Sequence, residues 1–557
     1  MPYDLLIKNG TVIDGTGKPR RHADVAVAQD KIAEIGKITG GARTVIDASD
    51  CIVAPGFIDP HTHYDAQVCW DPAMTPSSWH GVTTVVVGNC GVGIAPCRPD
   101  AHEVAMRDLV GVEGIDYDVL RKGIGWEWET FPEYLDAAAR RGSALNLAFL
   151  ATLSPFRHYV MGDAATERSA TPEETAAVKA LLKEAMSAGA FGFSTTIVLL
   201  HLGYQGRPLA CRNASTDELR AYCNVLRECG KGGIEIALTN KVSMVSDEEY
   251  DLLEMLLTES GRPVTFIGLK QREDLPNACR ELLLKVDPLI RRGAVPQTTA
   301  QYQPRELTLR TPFLFGRFAS WAPVFNKSAE EQASIFRAPA FRTAFRTELQ
   351  TLKNFNYDWH KISVNEVSSP SLRDLEGCTI AKIAGERGSD CVDTFLDISL
   401  TDNLETNFSF QGGKLDEQGI ADILRDPRIL IGMSDAGAHL DMMCEAGYCT
   451  QVLGHWVRDK NALSLEQAVQ KMTSHPADVF GIKDRGRLIE GLSADLVVFD
   501  PTTVGSGSRR EKRNDLPGGG KRFVMPSNGI NWTVVNGELI YEKGQMTGLM
   551  PGQVLRS

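Results

Sequence analysis

The middle of this chain alternates short apolar runs with helix-forming stretches, and that alternation restricts the fold more than any other feature. The runs fall at 83–87, 144–150, 190–194, 234–238, 264–269, 294–298 and 429–433, and a further strand ends at Ile58. Strand–helix repetition of this kind predicts an α/β fold with a parallel sheet, because parallel neighbours need a crossover connection. About eight such strands favour closure into a (β/α)8 TIM barrel over an open sheet. One helix is legible from its ends. Thr171-Pro-Glu-Glu174 is a capping box with proline at the first helical position, and Gly189 is placed to stop the helix. Val178, Leu181, Leu182 and Ala185 give it one apolar stripe.

Both ends read differently. Asp4–Gly10, Thr11–Gly15, Asp24–Ala28 and Lys31–Gly36 are strand-like, and Ala494–Asp500 and Trp532–Tyr541 mirror them at the far end. The expected division is therefore a small β-sandwich from residues 1–56 plus 485–557, and a barrel from 57–484. The segment 301–425 is too long for a loop and reads as a subdomain inserted over the barrel mouth. The Ser/Arg/Gly-rich stretch Gly505–Lys521 is expected to be a flexible surface loop.

Composition narrows the function classes. The 557 residues are 43% hydrophobic and 23% charged, near globular averages, and the net charge is −12. An acidic surface argues against nucleic-acid or anionic-membrane partners. No apolar stretch approaches the ~20 residues that span a bilayer, and no secretion signal is visible at Met1-Pro-Tyr-Asp4. Twelve cysteines without a Cys-x-x-Cys pair read as reduced thiols of a cytoplasmic protein.

Three short segments carry chemistry. In Ile52–His63 the apolar strand runs into His61-Thr62-His63, and residues two apart on a strand point the same way, so both imidazoles can chelate one ion. The strand's C-terminal end is where barrel active sites lie, and Tyr64-Asp65 follows. In Val85–Gly91 a glycine-flanked turn presents Cys90, a thiolate ligand or a buried structural cysteine. In Ile429–His439 the last apolar run delivers Asp435, which can bind metal and move a proton, or cap a helix.

Pro55–His63, Gly88-Asn-Cys-Gly91, Ser434-Asp-Ala-Gly437, Thr473–Ala477 and Gly486–Asp495 together resemble the amidohydrolase superfamily. The Asn-Cys-Gly turn and the tail Asn536-Gly-Glu…Leu555-Arg556 are similar to N-acyl-D-amino-acid deacylases, the D-aminoacylases. The resemblance implies His61, His63, Cys90 and Asp435 as metal ligands, with Asp435 also the catalytic proton shuttle. It also implies two further metal histidines on the fifth and sixth strands. This chain has no histidine between His201 and His360, and the matching positions are read as Asn240 and Gly268. Lys241 or Lys270 is the substitute charge in that region, or an ordinary solvated lysine. His201 and His439 are candidate substrate contacts, and His475 belongs to the C-terminal helix pattern.

The expected protein is a zinc amidohydrolase holding one ion, which cleaves a small N-acyl compound, foremost an N-acyl-D-amino acid, by attack of metal-bound water. The rivals are a cyclic-amide or lactone hydrolase on the same barrel, and a non-catalytic barrel retained for assembly. Association into a homo-oligomer is left open.

Overall fold

The computed structural model describes residues 3–301, 305–316, 318–325, 327–351, 358–410, 416–507 and 510–557. Eight parallel strands form its centre. In chain order they are Phe57–Thr62, Val82–Val87, Asn146–Phe149 with Ala151–Thr152, Gly192–Thr196, Gly233–Ala237, Val264–Ile267, Ala294–Thr298, and Leu430–Ile431 with Met433–Ala436. Each pairs in parallel with the next, and the eighth returns to pair with the first, Met433 opposite His61 and Ala436 opposite Thr62. The fold class is α/β, as the alternation predicts.

The intervening helices are set by their caps. Thr171, Ser215 and Ser246 each accept from the backbone three residues on while a glutamate reaches back, and Gly189, Gly230 and Gly261 end the same helices in left-handed backbone. On the helix Pro172–Ala188 the expected stripe faces inward: Val178, Leu182 and Ala185 are buried and Leu181 is half-buried.

Several strand ends differ from the expected runs by two or three residues, and the one in the eighth strand shapes the site. The eighth strand breaks at Gly432 (φ 140°), where a Cβ would stand 2.5 Å from Pro60 Cδ. Beyond the break the register against the first strand shifts, which turns residues 433–436 relative to the preceding pair. The fourth strand begins at Gly192, two residues later than its apolar run suggests.

Segments from both termini build two further sheets. One has the order Lys31–Gly36, Asp24–Ala28, Tyr3–Lys8, Ala42–Asp47; the other joins Ile52–Pro55 and Thr11–Val12 to Leu496–Phe499, Ile530–Val535 and Glu538–Glu542. They share an apolar core that includes Leu5, Val25, Val53, Leu496 and Val534. Residues 307–410 hold a separate, aromatic-rich core around Phe315, which stacks on Trp321 at 3.9 Å. Met442 and Met443 reach into that core from the loop after the eighth strand.

The expectation of a flexible loop at Gly505–Lys521 fails over its described part, residues 508–509 lying outside the described residues. Glu511–Leu516 and Gly520–Val524 form an antiparallel hairpin, with Leu516 and Val524 buried. Arg522 holds it down by donating to the carbonyl and hydroxyl of Thr75 (3.0 and 2.8 Å), and the Phe523 N–H donates to Leu440 O at 2.7 Å. The charged and glycine residues that look like a linker are thus spent on ion pairs and on a turn. All twelve cysteines are free thiols. Among the described residues, no helix is long and apolar enough to cross a membrane.

Candidate metal centre and its cavity

The first strand is buried along its whole length, and its alternation puts Asp59, His61 and His63 on one face. Asp59 stays in the floor, accepting from Ser434 Oγ at 2.7 Å. The two imidazoles rise above it with ring centroids 5.3 Å apart. His63 is tied to the last strand by its backbone N–H, which donates to Ala436 O at 2.7 Å.

Cys90 reaches the same point from the second strand through a turn that leaves little freedom. Asn89 Nδ2 donates to the carbonyls of Thr62 and Val86, both at 3.1 Å. Cys90 itself has left-handed backbone (φ 55°), and its N–H donates to Glu235 Oε2 at 2.6 Å. At Gly91 (φ 71°) a Cβ would stand 2.8 Å from Thr195 Cα, so the turn packs onto the fourth strand only as glycine. Asp435 arrives from beyond the Gly432 break, also in left-handed backbone (φ 47°).

These four residues converge. Donor atoms of His61, His63 and Cys90 all lie within 4.8 Å of one another. Cys90 Sγ is 3.6 Å, and Asp435 Oδ1 3.5 Å, from His61 Nε2, and Asp435 Oδ1 is 3.9 Å from His63 Nε2. Burial holds the His61 ring down to about 3, and the His63 ring well below its ordinary value, so both are neutral, as ligand imidazoles must be. Burial pushes Asp435 up to about 6, with Arg305 and Lys270 pulling the other way. Burial also pushes the Cys90 thiol up, and a cation at its side would reverse that. Two imidazoles, one thiol and one carboxylate at a buried point fit a zinc ion in number and chemistry.

Each imidazole has a buried carboxylate behind it. His63 Nδ1 lies 3.3 Å from Glu113 Oε1, and His61 Nδ1 lies 3.9 Å from Glu235 Oε1. Neither approach is a hydrogen bond; each places a carboxyl group where the partner of a ligand imidazole would stand. Above the centre opens a cavity of about 220 Å³, with His201, Lys270, Arg305, His439 and Glu445 among its polar walls. Val112, Val198, Leu200, Ile267, Met442 and Met443 supply apolar ones.

The candidate residues thus sort cleanly. His61, His63, Cys90 and Asp435 meet at one point, and His201 and His439 line the cavity above them. Asn240 lies differently from the sequence reading. Its side chain accepts from Leu199 N–H at 2.8 Å and donates to Glu249 and Ile197, and Thr239 takes the place on the cavity wall. Gly268 does line the cavity, but at φ 124° a Cβ would be 1.9 Å from Thr239 Oγ1. Lys241 is exposed and Lys270 is in the wall. His475 is half-buried in the helix Ser474–Phe480.

Glu113, Glu235, Arg305 and Glu445 escape the sequence reading. Glu235 had a signal, a lone charge inside the apolar strand Gly233–Ala237. Glu113 closes the helix His102–Glu113 and nothing local marks it.

The chain matches the amidohydrolase family over residues 44–541 and belongs to that family. It is a metal-dependent hydrolase acting on carbon–nitrogen bonds other than peptide bonds. It is 31% identical to a D-aminoacylase from Alcaligenes xylosoxydans xylosoxydans over 561 residues, covering 100% of this chain and 98% of that one. Among solved structures it resembles an N-acyl-D-glutamate deacylase from Bordetella bronchiseptica, complexed with zinc and a phosphonate mimic of the tetrahedral intermediate. That likeness has a TM-score of 0.70, at 27% identity over 100% of both chains. It also resembles a D-aminoacylase described by its binuclear metal centre, with one-metal activation and second-metal attenuation (TM-score 0.69, 28% identity, 100% of both chains).

Proposed function

We infer that this protein is a mononuclear zinc deacylase that releases the acyl group of N-acyl-D-amino acids. The observation that carries the reading is the meeting of His61, His63, Cys90 and Asp435, the last three of which line one cavity. The parallel ring is read as a (β/α)8 barrel, 57–484 with an insertion at 301–425, and the terminal sheets as a β-sandwich of 1–56 plus 485–557.

One zinc ion held by His61, His63, Cys90 and Asp435 would supply carbonyl polarisation and acidify the attacking water. Asp435, buried and with its carboxyl already raised toward neutral pH, takes a proton and returns it to the leaving nitrogen. Lys270 and Arg305 hold the substrate carboxylate, and Glu113 and Glu235 keep the imidazoles oriented. What the fifth and sixth strands offer supports a single ion: Gly268 contributes no side chain, and Asn240 is engaged outside the cavity.

The test is metal analysis joined to a substrate panel. The expected result is about one zinc per chain, lost in a His61→Ala, His63→Ala variant, with turnover of N-acyl-D-amino acids above their L-enantiomers. Protein that takes up no zinc, or hydrolysis confined to cyclic amides, overturns the reading.

A further inference from the structure

The walls of the cavity divide by chemistry, and the division continues outside it. Lys270 and Arg305 line it beside Glu445, two cations that can meet a substrate carboxylate. Val198, Leu200, Val242 and Ile267 line it too, from the loops and strand ends after the fourth, fifth and sixth strands. Next to these wall residues the chain turns large apolar side chains toward water. Leu199 is 63% exposed, Val242 39%, Met244 41%, and Leu275 on the third loop 40%.

That exposure is built, not slack. Asn240 Oδ1 accepts the Leu199 N–H at 2.8 Å, tying the first loop to the second. The Ser243 N–H donates to Gly268 O at 2.7 Å and Arg272 Nη1 donates to Val242 O at 3.1 Å, tying the second loop to the third. Backbone and amide hydrogen bonds hold these side chains out, and Val242 belongs both to the cavity wall and to the exposed rim. Grouped exposed apolar residues mark ligand grooves. A short acyl group would end inside the cavity and leave the rim without use.

Resting on the deacylase reading above, we propose that the substrates are N-acyl amino acids with a long aliphatic acyl chain, whose tail leaves the cavity over Leu199, Val242 and Met244. Water adds its oxygen to the acyl carbon as the C–N bond breaks, one proton passes to the amino acid nitrogen, and a fatty carboxylic acid and a free amino acid result. Burying a methylene along such a rim increases binding about two- to fourfold.

The experiment measures kcat/KM for N-acetyl, N-hexanoyl and N-decanoyl derivatives of one apolar D-amino acid, below their micellar concentrations. The zinc-loaded wild type and a Leu199→Ser, Met244→Ser variant are compared. Eight added methylenes put the expected decanoyl-to-acetyl ratio at about 250 or more in the wild type, and it should fall at least tenfold in the variant. Both residues are exposed, so thermal melting should be unchanged. A wild-type ratio at or below one, or an equal ratio in both proteins, overturns the proposal and leaves the deacylase reading standing. Failure to cleave any member of the series overturns both.

Discussion

Glu113 Oε1 lies 3.3 Å from Nδ1 of His63, whose other ring nitrogen faces Asp435 Oδ1 at 3.9 Å. The imidazole thus stands between a carboxyl group and the point where the ligand atoms meet. Altering the partner behind a ligand histidine typically costs 10–100-fold in metal affinity. Glu113→Gln should therefore weaken zinc binding by roughly that factor in competition with a chromophoric chelator. Unchanged affinity would show that Glu113 serves packing alone.

Asp435 has two tasks in the proposed chemistry, and they separate on substitution. Asp435→Asn leaves His61, His63 and Cys90 in place, so zinc should remain near one per chain. Losing the proton shuttle should lower kcat about 10²–10⁴-fold. If kcat and zinc content fell in proportion, the residue would be a ligand and nothing more.

Gly268 is held by its neighbour. An alanine would bring its Cβ to 1.9 Å from Thr239 Oγ1 in backbone at φ 124°. Strain and crowding together should destabilise Gly268→Ala by about 2–4 kcal/mol. Adding Thr239→Ala should recover the crowding part and leave the backbone part, a coupling that denaturant melts of the four proteins can read.

His80 supplies a pH dependence away from the metal. Its buried ring meets Thr450 Oγ1 at 2.7 Å and Met525 O at 2.8 Å, and burial lowers its pKa to about 4. The ordinary value is 6.5, so between pH 6.5 and 4 the unfolded chain binds the proton and the folded one does not. Stability is therefore present above pH 6.5, is lost as pH falls toward 4, and changes no further below. The loss amounts to at most about 3 kcal/mol. His80→Gln should be less stable than wild type at pH 7, with the gap narrowing as pH falls to 4. Melts with chelator present, so that zinc release does not contribute, would show it; a gap constant with pH would refute it.

Much of this protein is written locally. Apolar runs separated by capped helices determine an α/β fold, because strand burial and helix capping depend on residues within a few positions of each other. The pair His61 and His63 is likewise local, since strand alternation alone sends both to one face. Cys90 and Asp435 stand out at the ends of their strands, with a structural reading open for each, and the family resemblance implies them as ligands. Tertiary structure decided the rest. Glu113 meets His63 only because the end of the helix His102–Glu113 comes to rest beside it, and Glu235 meets both Cys90 and His61 only because the fifth strand faces them across the interior. The linker-like stretch after 505 became a hairpin because Thr75, Leu440 and Asp515 stand where its arginine and backbone can use them. Periodicity and caps act over one or two turns of chain. Which charge stands behind which imidazole depends on elements tens to hundreds of residues apart, and only the packed core brings them together.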